Sequence, residues 1–173
     1  MTKENILHEE LKALKELIYD KCGFTLTSLK IYKESAAYGT CSFELDGRKI
    51  EFRISKITPT KTGQFVTVWK RNDKGITASF SSSDDIDFLV ITSKSGDKIG
   101  QFIFPKSVLI DKGIVSRNGK GGKRGIRIYP LWDVATNRQA EETKKWQIKY
   151  FLPIELNNST DLDLARKLFS DTL

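Results

Sequence analysis

At residue 41 the apolar pattern switches from a helical period to a period of two. Cys41, Phe43 and Leu45 alternate with Ser42 and Glu44; beyond Asp46-Gly47, Ile50, Phe52 and Ile54 alternate with Lys49, Glu51, Arg53 and Ser55. Asp-Gly is the dipeptide that a tight two-residue hairpin turn favours, because both central residues need positive φ. Slipping the pairing by one residue would turn every apolar side chain to water. The pattern therefore demands a β-hairpin with one buried face, and the rest of the chain must cover that face. Lys56 continues the apolar parity. Either it points inward at the strand end, where an unpaired cation is costly, or the strand stops at Ser55.

Two amphipathic helices are available as cover. Asn5 to Lys21 carries Ile6, Leu7, Leu11, Leu14, Leu17 and Ile18 at helical spacing, with Gly23 placed as a left-handed C-cap and His8 at the surface. Near the other end Ser159 or Thr160 can cap a helix with Leu164, Ala165, Leu168 and Phe169 as its inner stripe. Between them, strands are expected over Gln64–Lys70, Asp87–Thr92, Gln101–Phe104 and Ile126–Tyr129. The second of these is nearly all apolar, as a central strand is. Thr77 to Asp85 reads as a polar surface loop, Pro105 opens a short helix that Gly113 closes, and Asn137–Tyr150 reads as helical. Helices at both ends of a mostly antiparallel or mixed set of strands define an α+β fold. No linker interrupts the 173 residues, so one domain spanning 1–173 is expected.

Lys and Arg number 29 against 22 Asp and Glu, a net charge of +7. Such a balance favours a polyanionic partner. The excess peaks between Ser116 and Arg127, where Arg117, Lys120, Lys123, Arg124 and Arg127 are spaced by glycines and no acid occurs between Asp111 and Asp133. Mobile cations beside free N–H groups would seat phosphate oxygens. A nucleotide-hydrolysing P-loop is disfavoured, because Gly122-Lys123 is followed by Arg124 where that motif has Ser or Thr. Gly63-Gln64-Phe65-Val66 is echoed by Gly100-Gln101-Phe102-Ile103, with Lys70 and Lys106 shortly after. The echo would put Gln64 and Gln101 on one polar groove. Together with Lys56 and Lys61, and with Trp132 as a stacking face, these residues form the expected binding set.

Candidate catalytic acids are Asp87, Glu51 and Glu34, in a broken version of the strand-borne carboxylate–lysine arrangement that metal-dependent nucleases use. Gln101 and Ile103 stand where that arrangement has its second acid and its lysine. Magnesium or manganese would be needed only if this alternative held; otherwise no cofactor and no metal site is expected. Cys22 and Cys41 with the single histidine, His8, cannot make a structural zinc site. No apolar run approaches the length of a membrane span, and Met1-Thr2-Lys3-Glu4-Asn5 has no apolar signal core. A cytoplasmic protein without a membrane partner is the expectation.

Several longer strings resemble the MepB-like family. They are Glu34-Ser35-Ala36-Ala37-Tyr38-Gly39, the stretch from Phe52 to Val66, Gly100–Lys106, Gly122–Pro130, Trp132-Asp133 and Lys145-Trp146-Gln147. The resemblance implies a bacterial, cytoplasmic protein whose gene accompanies a multidrug efflux pump, with a nuclease-like α+β scaffold. It also implies nucleic-acid binding without an established reaction. The leading expectation is a protein that grips DNA or RNA by its phosphates. The alternatives are a metal-dependent phosphodiesterase and a small-ligand or protein-binding module built around Trp69, Trp132 and Trp146.

Overall fold

A computed structural model describes residues 3–34, 36–157 and 159–170; the side chains of residues 3–8, including Ile6, Leu7 and His8, lie outside the described residues. Helix α1 (Lys3–Leu14) continues through a π-helical turn at Lys15–Tyr19 into α2 (Asp20–Cys22). Gly23 ends it at φ 81°, where only a residue without Cβ is unstrained. Strands β1 (Leu26–Ile31), β2 (Cys41–Leu45), β3 (Arg48–Ile54), β4 (Lys56–Ile57), β5 (Gln64–Thr67), β6 (Trp69–Arg71), β7 (Thr77–Ser79), β8 (Phe88–Ser95) and β9 (Lys98–Pro105) follow. Helix α3 (Lys106–Asp111), strand β10 (Gly125–Ile128), helix α4 (Arg138–Gln147), strand β11 (Phe151–Ile154) and helix α5 (Leu162–Ser170) complete the order. Helices sit at both ends of a mixed sheet, as α+β requires. No helix of the described residues is long and apolar enough to cross a membrane.

The predicted hairpin is β2–β3. Cys41 pairs with Phe52 and Leu45 with Arg48, and the turn has Asp46 at φ 49° and Gly47 at φ 82°. This hairpin belongs to a six-stranded sheet of order β1-β2-β3-β8-β9-β11, antiparallel except where β3 runs parallel to β8. Central strands β8 and β9 are covered on both sides. Phe88, Val90 and Ile103 face the end helices and meet Leu14, Ile18, Tyr19, Ala165 and Phe169. Leu89, Ile91, Phe102 and Phe104 face the other way and meet Val66, Val68, Leu109, Ile126 and Ile128. Each such side chain contributes about 1.5–3 kcal/mol by leaving water. The second face is closed by a three-stranded sheet, β10-β5-β4, together with α3 and α4.

The alternative left open at Lys56 is resolved, and three local expectations change. The strand breaks at Ser55, whose buried hydroxyl bonds Gln64 and Ser93, so Lys56 starts β4 and is exposed. The stretch taken for a surface loop contains β7 and the buried Phe80. The last helix is capped by neither Ser159 nor Thr160: Asp161 Oδ1 accepts from Leu164 N at 3.0 Å, while Thr160 Oγ1 accepts from Glu155 N. The helix expected to reach Tyr150 is capped by Asn137, ends at Gln147 and hands over through a tight turn to β11, a strand the pattern did not reveal.

Candidate functional site

The glycine-spaced cations form a pinned hairpin rather than a free loop. Asn118 (φ 52°) and Gly119 (φ 74°) make its tip, and Arg117 and Lys120 exchange backbone bonds of 2.8 and 3.0 Å across it. Below the tip, Gly122 N donates to Gly113 O and Lys123 N to Ile114 O, both at 2.9 Å, while Arg124 O accepts from Val68 N. Glycine is required at Gly122, which has φ 98° and where a Cβ would lie 2.3 Å from Ser79 Oγ. The N–H groups of Lys120, Gly122 and Lys123 are already spent on backbone partners. Those N–H groups are not free to hold an anion, which leaves the exposed side chains as its main attraction.

Those side chains meet a second wall. Buried Gln147 joins α4 to β10: its Oε1 accepts from Tyr129 N at 2.9 Å and its Nε2 donates to Arg127 O at 3.1 Å. Between α4, the β4–β5 loop, the end of α3 and β10 lies a cleft of about 630 Å³. Lys61, Lys112, Lys123 and Arg127 line it, with Thr60, Thr62, Asn137, Gln139 and Thr143 as neutral polar groups and Trp146 as an aromatic wall. Among the described residues no carboxylate lines it. Arg127 Nη1 is held by Thr62 O at 3.2 Å, and Lys112 Nζ lies 5.6 Å from the Trp146 ring centre. Among the described residues no carboxylate pairs with Lys61, Lys123 or Arg127; Lys112 lies 3.8 Å from the exposed Asp111. Sequence reasoning named three of these cations and missed Lys112, which sits outside the glycine-rich run and just after α3.

The remaining expected residues divide. Arg117, Lys120 and Arg124 are exposed on the hairpin, and Lys56 is exposed on β4 with Nζ 5.0 Å from the Tyr38 ring centre. Lys70 is paired with Asp84 at 2.5 Å, and Lys106 Nζ donates to Asp84 O at 2.5 Å, so both brace the turn before β8. Gln64 and Gln101 share no groove. Gln64 is buried between the two sheets, bonded to Ser55 Oγ and Lys94 O. Gln101 is buried on the opposite face of the large sheet, bonded to Tyr19 and Thr92. Their shared glycines serve ring packing: a Cβ would lie 2.8 Å from the Tyr129 ring at Gly63 and 2.2 Å from the Phe151 ring at Gly100.

Trp132 lies apart from the cleft, packed edge-on against Phe151 in a separate hollow with Asp97, Lys98 and Glu155. Trp69, on β6, lies 5.5 Å from the Arg71 guanidinium, so the three tryptophans do not surround one pocket. The candidate acids are each engaged. Asp87 Oδ2 accepts from Lys49 N at 2.8 Å, and Glu34 pairs with Arg71 at 2.5 Å. Glu51 pairs with the buried Arg53 at 3.1 Å, and burial, only partly offset by Arg53, pushes its carboxyl above the usual range. Among the described residues no three His, Cys, Asp or Glu side chains approach closely enough to hold a metal ion.

The MepB-like family profile matches residues 32–153. That span holds the whole glycine-cation hairpin, both strands of the central pair and all four elements around the cleft. A solved structure described as the crystal structure of MepB superposes with a TM-score of 0.72 at 31% identity, covering 88% of this chain and 97% of that one. None of the curated proteins matches. The chain belongs to the MepB-like family.

Proposed function

We propose that the protein binds nucleic acid through its phosphates at the acid-free cleft, with little dependence on sequence. The observation that carries this reading is the convergence of Lys61, Lys112, Lys123 and Arg127 on one cleft that no carboxylate of the described residues lines. A cation with a carboxylate neighbour has its field cancelled locally, as Asp111 does in part for Lys112, whereas those of Lys61, Lys123 and Arg127 add. Exposed Arg117, Lys120 and Arg124 extend the positive surface along the hairpin. Contacts of this kind are made to the backbone and position the ligand without reading its bases. The pinned hairpin backbone fixes where the side chains of Arg117, Lys120, Lys123 and Arg124 start, which reduces the backbone ordering that binding requires. Asp87, Glu51 and Glu34 serve the scaffold in this reading, and no metal takes part. A cytoplasmic location goes with it, where the free thiols of Cys22 and Cys41 stay reduced.

Fluorescence anisotropy with labelled DNA and RNA oligonucleotides at low salt tests the proposal. Micromolar or tighter binding is expected, and Lys123→Glu with Arg127→Glu should reduce it by at least tenfold. No binding by the unaltered protein, or equal binding by the double variant, would reject the reading.

A further inference from the structure

One row of side chains crosses the small sheet on the face turned away from the core. Arg127 of β10 stands opposite Phe65 of β5, and Phe65 stands opposite Lys56 of β4. Gln64 and Val66, the neighbours of Phe65, are buried against the large sheet. Alternation therefore turns Phe65 outward. Its ring is half-buried and belongs to neither hydrophobic cluster.

The ring has a built seat. It lies across Gly125, where a Cβ would be 2.5 Å from its ζ carbon. Tyr38 packs against it edge-on with ring centres 6.2 Å apart, and Lys56 Nζ covers Tyr38. No carboxylate pairs with Lys56 or Arg127 among the described residues. The result is a cation–aromatic–cation row, with the backbones of its two cationic residues two strand spacings, or about 10 Å, apart. Arg127 belongs to this row and to the cleft, so the row and the cleft form one continuous positive surface.

We propose that this row makes the site selective for single-stranded nucleic acid. An unpaired base stacks on Phe65, braced by Tyr38, while the flanking phosphates lie on Arg127 and Lys56. A duplex keeps its bases inside and can offer phosphates only. Cations along a path with aromatic faces between them are what a strand with free bases requires. The inference rests on the phosphate-binding reading of the cleft.

Anisotropy titrations with an oligothymidine strand, an abasic strand of equal length and a duplex test it. The unaltered protein should bind the thymidine strand roughly tenfold more tightly than the abasic one, the order that one base–aromatic stack supplies. Phe65→Leu, which keeps an apolar cover on Gly125, should remove that difference and leave duplex affinity unchanged. Equal binding of the thymidine and abasic strands by the unaltered protein would overturn the proposal whatever the variant does. So would a Phe65→Leu variant that weakens duplex and single strand alike. If all three ligands bind equally and Lys123→Glu weakens each, the phosphate reading stands and the single-strand inference falls. If none binds at low salt, both fall.

Discussion

Two positively charged regions of this molecule look alike in the sequence and differ in their partners. Around the turn before β8, Arg53 is buried against Glu51, Lys70 is paired with Asp84, and Lys106 holds the Asp84 carbonyl. In the cleft, Lys61, Lys123 and Arg127 converge without a carboxylate among the described residues. The first cluster's charge is paired within the fold; that of the second is not, and the proposed phosphate binding draws on it. A net charge of +7 does not tell them apart. Only the position of the acids does.

The comparison breaks most visibly in stability. Removing one partner of a buried ion pair leaves the other unpaired in a low dielectric. Glu51→Ala, which strands the Arg53 guanidinium, should therefore cost about 3 kcal/mol in urea unfolding. The same change should leave nucleic-acid affinity of the folded protein intact. A loss of affinity at unchanged stability would place Glu51 in the site and erase the distinction between the two regions.

A smaller effect sharpens it. Burial raises the Glu51 carboxyl above its ordinary 4.5, with Arg53 offsetting part of the rise. The folded state then holds that proton more tightly than the unfolded chain does. The stabilising contribution of this group is complete below pH 4.5 and is lost as pH rises through the raised value. Urea midpoints of Glu51→Gln followed upward from pH 4 should lack this decline. Parallel curves for the variant and the unaltered protein would show that Arg53 fully compensates the burial.

Much of the scaffold was legible because its signals are local. Asp46-Gly47 between two alternating runs names its turn, and Gly23 marks a helix end. The apolar run from Phe88 to Ile91 announces a strand buried on both faces. Strand β1 was not legible: its four interior residues are exposed, so an edge strand leaves no alternation to read. Strand β11 is short and follows a helix directly, with Pro153 on its exposed side. The cleft was half legible. Its hairpin wall stands out as an acid-free run, but Lys112, Thr143 and Trp146 reach it only through the packing of α3 and α4. The paired Gly-Gln segments misled because a glutamine that opens a strand looks the same whether it faces solvent or satisfies a buried serine or tyrosine. Opposite faces of the sheet separate the two.

The salt dependence of binding tests the division of charge most directly. Each phosphate contact contributes about 0.9 to the slope of log affinity against log salt on a duplex. With a duplex ligand, Lys123→Ala should lower that slope by about one while leaving urea stability unchanged. Lys106→Ala should leave the slope unchanged and lower stability. The reverse pattern, with Lys106 changing the slope and Lys123 changing only the fold, would contradict the account.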